Sequence, residues 1–102
     1  MKLTKKERKI FEENFDIYED SNTIELEAWT NGGVDMFIYL DKEEETTATQ
    51  QFIDYIDNFD IGEEIDVHRQ DIRYKNDFSI IESVRDFENW LIWLKEIENK
   101  LT

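Results

Sequence analysis

The sequence predicts one α+β domain of two layers, in which helices cover one face of a small β-sheet. A stretch of alternating apolar and polar residues lies between stretches whose apolar residues recur at helical spacing. The chain has 102 residues, enough for one hydrophobic core and too few for two. We therefore expect residues 1–102 to form a single domain.

The first predicted helix covers residues 5–18. Thr4 and Glu7 form a capping-box signature, a hydroxyl and a carboxylate three residues apart at a helix start. Apolar residues then recur at helical spacing, at Ile10, Phe11, Phe15 and Tyr18.

A β-hairpin is predicted over residues 23–30 and 34–40, where apolar and polar residues alternate after the turn at Asp20 to Asn22. A two-residue loop, Asn31-Gly32, would mix aliphatic and polar side chains on each face. A three-residue loop that includes Gly33 gathers the aliphatic side chains on one face. We expect the longer loop, with Gly33 in the left-handed conformation at a bulge.

A second helix is predicted over residues 43–58. Asp41 and Glu44 suggest its cap, and apolar residues follow at helical spacing from Ala48 to Phe59. The pattern between residues 63 and 78 fits either a strand, through Ile65 and Val67, or a helix, through Ile61, Ile65 and Ile72. We prefer a short helix near residues 63–69.

The longest apolar stripe predicts a C-terminal helix over residues 83–100, with Ser79 and Ser83 as competing caps. Ile92 and Trp93 lie at or beyond the edge of this stripe. They therefore need either further coverage or a partner.

Charge is the most extreme property of the chain, which carries 26 acidic and 12 basic residues and a net charge of −14. Five of the bases precede residue 10. Such a field repels nucleic acid and anionic membranes and attracts cationic surfaces. The chain contains no Cys and no apolar stretch of about 18 residues, so we expect a cytoplasmic protein without a membrane span or a signal peptide.

Two surfaces are candidates for binding a partner. The aromatic candidates are Trp29, Phe37 and Tyr39 on the second face of the hairpin, and Trp93 on the last helix. The three aromatic residues of the hairpin either pack under a helix or form an open patch rimmed by Glu25, Glu27 and Asp35. The acidic candidates are Glu43, Glu44, Glu45, Asp54, Asp57, Asp60, Glu63, Glu64 and Asp66. These carboxylates either solubilise the protein or imitate the phosphates of a nucleic acid.

Catalytic and cofactor motifs are weak in this sequence. His68, the only His, lies in a polar segment, and the two Gly of the hairpin leave no phosphate-binding loop. Asp60, Glu63, Glu64 and His68 could serve a metal-dependent hydrolase, but the spacing around Gly62 does not fit an EF-hand. We expect no enzyme activity, no catalytic residues, no cofactor and no metal.

Three segments resemble small acidic proteins of unassigned function from Gram-positive bacteria and their phages and plasmids. They are residues 29–36, 59–65 and 83–90, within a stretch that spans about two-thirds of the chain. The resemblance implies a mobile-element origin and no particular activity. The charge favours a non-catalytic module that binds a basic DNA- or RNA-handling protein as a nucleic-acid mimic. A small accessory domain or homodimer is the structural alternative.

Overall fold

The computed structural model describes residues 1–69 and 80–102. The elements follow in the order α1 (Lys5–Asn14), β1 (Asp16–Glu19), β2 (Thr23–Trp29), β3 (Asp35–Asp41), α2 (Ala48–Asp57), α3 (Ile61–Arg69) and α4 (Ile80–Leu101). The strands form an antiparallel sheet in the order β1-β2-β3. The α+β fold class is confirmed.

Helix α1 is shorter than predicted. Its start matches the sequence, since Thr4 and Glu7 exchange both hydrogen bonds of a capping box. The predicted end at residue 18 is wrong, because Phe15 is extended and residues 16–19 pair with β2 as a third strand. The side chain of Asn14, the last residue of the helix, donates to the Ile10 carbonyl at 2.7 Å.

The hairpin has the predicted register. Ala28 lies opposite Met36 and Leu26 lies opposite Ile38. The three-residue loop closes through Thr30 N–H to the Val34 carbonyl at 2.9 Å, and Gly33 has a φ of +84°. Alternation on both strands therefore predicts the loop length correctly.

Replacing Gly33 with Ala should lower the free energy of unfolding by about 1 kcal/mol, because side chains with a Cβ disfavour this φ. A Cβ at this position meets no atom within 4 Å, so the cost is conformational and not steric. Gly33→Asn is the matched control, since Asn tolerates the left-handed region, and it should lose less stability. Urea unfolding of the three proteins measures the difference; equal losses for Ala and Asn would contradict this explanation.

The hairpin loop is attached to helix α4 through Gly32. Its N–H donates to Asp86 Oδ1 at 2.7 Å, and Asp86 is itself buried. A Cβ on Gly32 would lie 2.7 Å from Asp86 Oδ2. The absence of a side chain at residue 32 thus lets the loop approach the helix closely.

The core lies between the sheet and the helices. Ile24, Leu26, Ile38 and Leu40 project from β2 and β3 and are almost fully buried. The helices cover them with Phe11 from α1, Phe52 from α2, and Phe87, Leu94 and Ile97 from α4. Aromatic rings contact each other within this core, as Phe11 and Phe52 do at 5.6 Å between ring centroids. The predicted aliphatic face of the hairpin is therefore the covered one.

Helix α2 begins at Ala48, so the predicted start at residue 43 is wrong. Thr47 caps it by accepting a hydrogen bond from the Gln50 N–H at 3.1 Å. Asp41 is the last residue of β3, and its carboxylate accepts from the Glu43 N–H in the following turn. The cluster of acids after Asp41 therefore belongs to a connecting loop and not to a helix N-terminus.

The last two helices agree in type with the sequence and begin earlier than predicted. Helix α3 starts at Ile61, and Asp60 accepts from the Glu63 N–H at 3.1 Å at its N-terminus. Helix α4 starts at Ile80, so Ser83 lies inside its first turn and is not the cap. Ser79, the competing cap, and most of the ambiguous segment up to residue 78 lie outside the described residues.

Candidate functional site

One face of the sheet is not covered by any helix within residues 1–69 and 80–102. Its side chains alternate with the core residues on all three strands, and we call this set the open face. The open face comprises Asp16, Tyr18, Thr23, Glu25, Glu27, Trp29, Asp35, Phe37, Tyr39 and Asp41. It combines five carboxylates with four aromatic rings, and the three strands contain no Lys or Arg.

The aromatic residues of the open face are accessible. Tyr18, Trp29 and Tyr39 expose 54%, 60% and 65% of their surface. Phe37 is half-buried and stacks on Tyr39 with ring centroids 6.3 Å apart. Of the two interpretations of the hairpin's second face, the open patch is therefore the one that the structure supports.

The acidic side chains of the open face crowd one another. Glu27 lies opposite Asp16 on one side and Phe37 on the other. Partial desolvation and then the neighbouring Asp35 raise the pKa of Glu27. The charge of Glu27 in turn raises the pKa of the Tyr18 hydroxyl, which donates to Glu27 Oε1 at 3.2 Å. Among the described residues, no Lys or Arg forms an ion pair with a carboxylate of this face, so its ionised form is not stabilised in that way.

The acidic loop after β3 adjoins the open face. Asp41, Glu43, Glu44, Glu45 and Thr46 line an open concavity of about 610 Å³. A second groove, of about 420 Å³, is lined by Tyr39, Asp41, Glu44 and Thr46 together with Gln51, Asp54, Tyr55 and Asn58 of α2. The structure thus joins Tyr39 to four of the nine acidic candidates.

The other acidic candidates lie on α2, on α3 or, for Asp60, directly before α3, and they line neither groove. Asp57, Glu63 and Asp66 are exposed. One carboxylate oxygen of Asp60 accepts a hydrogen bond from the Glu63 N–H at the start of α3. Glu64 Oε2 lies 3.4 Å from His68 Nε2. Among residues 1–69 and 80–102, the other eight candidates form no ion pair with a Lys or Arg.

Trp93 lies apart from the stacked rings of the open face. It is half-buried and packs against Phe15 at 5.2 Å and Trp90 at 5.3 Å between ring centroids. It also lines a cleft of about 300 Å³ together with Trp29 at the end of β2. Core residues therefore give Trp93 most of the coverage that its position in the sequence required, whereas Ile92 remains 60% exposed.

Asp16 and Tyr18 are members of the open face that the sequence did not suggest. Apolar spacing places both in the predicted first helix, because Tyr18 continues that spacing. The only signal for a strand was alternation over the four residues of β1, where Ile17 faces the core beside Leu26. An alternation this short does not outweigh helical spacing.

The residues considered for a hydrolase do not converge. His68 is half-buried, stacks on Phe87 at 5.7 Å between ring centroids, and lies one helical turn from Glu64. Over the described ranges 1–69 and 80–102, no three His, Asp or Glu side chains are placed so that they could hold a metal ion.

Comparisons with known proteins return nothing: no family model, no curated protein and no solved structure matches this chain. None of the described helices is long and apolar enough to cross a membrane.

Proposed function

We propose that this protein is a non-catalytic module that binds the basic surface of a DNA- or RNA-handling protein through its open face. The observation that carries the proposal is a sheet face with five carboxylates, exposed aromatic rings and no Lys or Arg on its strands. Exposed aromatic groups beside charges are typical of protein interfaces. The lack of Cys is consistent with action in the cytoplasm.

Rigidity supports nucleic-acid mimicry as the mode of binding. Glu25 and Glu27 project from the central strand, which is paired on both sides, so their backbone positions are fixed. Residues two apart on a strand are separated by about 7 Å, twice the axial spacing of about 3.4 Å between phosphates along one DNA strand.

The unfavourable electrostatics of the open face also favour a binding role over a solubilising one. A carboxylate that serves only solubility gains nothing from neighbours that raise its pKa. Glu27 is nevertheless held beside Asp35 and Asp16. Arrangements of side chains that reduce the stability of the fold are typical of functional sites.

Binding should weaken steeply with salt and should be competed by duplex DNA. The protein is immobilised, incubated with an extract of the native host at low salt, and eluted with a salt gradient in parallel experiments with and without DNA. We expect basic nucleic-acid-binding proteins to elute well below 1 M salt, where the screening length falls to about 3 Å. Complexes that survive 1 M salt, or that DNA leaves unchanged, would contradict electrostatic mimicry.

A further inference from the structure

The outer edge of β3 carries backbone groups that are free to pair with another strand. Two bonds at opposite ends of the β2–β3 ladder, Thr30 N–H to the Val34 carbonyl and Lys42 N–H to the Asn22 carbonyl, show that even-numbered residues exchange the hydrogen bonds. In an antiparallel pair the alternate residues point their N–H and C=O groups away from the partner strand. In β3 these outward residues are Asp35, Phe37, Tyr39 and Asp41.

Over the described ranges 1–69 and 80–102, only the last of these four positions is occupied. The Gln51 side chain accepts from the Asp41 N–H at 2.8 Å and donates to the Asp41 carbonyl at 3.0 Å. The Gln51 amide therefore makes the two hydrogen bonds at Asp41 that the backbone of a fourth strand would make. The outward groups of Asp35, Phe37 and Tyr39 form no backbone hydrogen bond within the described part of the chain.

Within residues 1–69 and 80–102, the free edge is accessible at Tyr39 and has little protection. The groove of about 420 Å³ begins at Tyr39 and separates the end of β3 from helix α2. Proteins commonly protect an edge strand with Lys, Pro or a bulge, and the β3 sequence, DMFIYLD, contains neither Lys nor Pro. The opposite edge, β1, has only 4 residues, and Glu19 at its end pairs with Lys42 and Arg8.

Charge selects which strand can be added. A second copy of this chain would bring the carboxylates of another acidic face against Asp35 and Asp41, and like charges on neighbouring strands repel. A segment with Lys or Arg at alternate positions would place its cations beside the same carboxylates. The field of the face therefore disfavours self-pairing and favours a basic strand.

We propose that the outer edge of β3 accepts an extended basic segment of the partner as a fourth, antiparallel strand. This inference rests on the proposed function and specifies how the basic partner is bound. Residues directly opposite Asp35, Phe37 and Tyr39 form hydrogen-bonded pairs with them, and their basic side chains lie on the open face. The intervening residues of the segment point to the helical side and direct their N–H groups to solvent.

The test uses a capped peptide as long as β3, 7 residues, in which lysine alternates with valine, and two N-methylated forms of it. Methylation of the lysine nitrogens removes the N–H groups that would face β3, whereas methylation of the valine nitrogens removes those that face solvent. All three peptides carry the same charge. We expect lysine methylation to weaken binding at least about tenfold and valine methylation to leave it nearly unchanged.

Amide hydrogen exchange supplies a second readout. In the complex with the unmodified peptide, exchange at Phe37 and Tyr39 should slow, while Met36 and Ile38, already paired with β2, should not change. Equal binding of the three peptides would overturn strand addition and leave electrostatic binding intact. Concentration-dependent protection of Phe37 and Tyr39 without any peptide would assign the edge to a second copy and also overturn the proposal.

The experiments can refute strand addition without refuting the proposed function. If the protein captures its basic partner with the expected salt dependence but binds none of the peptides, strand addition is wrong and the proposed function stands. If it binds neither a basic partner nor the unmodified peptide at low salt, the proposed function fails as well.

Discussion

Replacing Glu7 with Ala should lower the free energy of unfolding by about 3 kcal/mol. Glu7 is 6% exposed, and its carboxylate serves two helices at once. Oε1 accepts from the Thr4 N–H at 2.8 Å at the start of α1, and Oε2 accepts from the N–H and hydroxyl of Thr49 at 2.9 and 2.8 Å at the start of α2. The substitution leaves these donors unsatisfied and removes a negative charge from two helix N-termini.

Two matched variants separate this effect from a general change of charge. Glu7→Gln retains only one acceptor oxygen, so it can serve Thr4 or Thr49 but not both, and it should lose about half as much stability. Glu13→Ala removes an exposed carboxylate from the same helix and should change stability by less than about 0.5 kcal/mol. Chemical unfolding of the three variants measures the losses. Similar losses for Glu7→Ala and Glu13→Ala would show that Glu7 does not connect the helices.

The contribution of Glu7 should depend on pH. Burial alone would raise the pKa of Glu7, but the hydrogen bonds from Thr4 and Thr49 outweigh it and lower the pKa below the ordinary value of 4.5. The stabilisation is therefore complete above pH 4.5 and is lost as the pH falls through the pKa of the folded state. In consequence the stability difference between the wild-type protein and Glu7→Gln should shrink at acidic pH.

The sequence predicted the hairpin more accurately than the helix ends. Alternation on two long strands defines a register, because a slip of one residue would turn Leu26 and Ile38 away from the core. The loop length and the conformation of Gly33 followed from that pattern. Helix ends depend instead on single polar contacts, such as Asn14 with the Ile10 carbonyl, and spacing does not report these.

The candidate site could be predicted only in part. The open-face positions of Trp29, Phe37 and Tyr39 followed from alternation, but their exposure depends on where the helices pack, which local pattern does not specify. Glu7 appeared in the sequence as a cap of α1 alone. Its second role requires Thr49, which is 42 residues away in the chain, and only the fold brings the two together.

Neutralising the open face should weaken binding to a basic partner by about tenfold to a hundredfold at low salt. The variant carries Glu25→Gln, Glu27→Gln and Asp35→Asn, which remove three negative charges beside the exposed aromatic rings. The matched control carries Glu43→Gln, Glu44→Gln and Glu45→Gln, which remove the same charge from the exposed loop. Net charge is thus equal in the two variants, and only the location of the lost charge differs.

Stability should change in the opposite direction to affinity. The pKa of Glu27 is raised in the folded state, so at neutral pH its ionised form opposes folding, and this opposition fades as the pH falls. The neutral Gln removes it, and the open-face variant should therefore unfold at a higher urea concentration than the wild-type protein. A gain in stability with a loss of affinity would distinguish a binding face from damage to the fold.

The most direct measurement is the affinity of the wild-type protein and of the two variants for one captured basic partner, as a function of salt concentration. If the open face is the binding surface, its neutralisation weakens binding and flattens the salt dependence, while the loop variant stays close to the wild-type protein. If the two variants lose affinity equally, or if neither loses any, the carboxylates of the sheet have no specific role in binding.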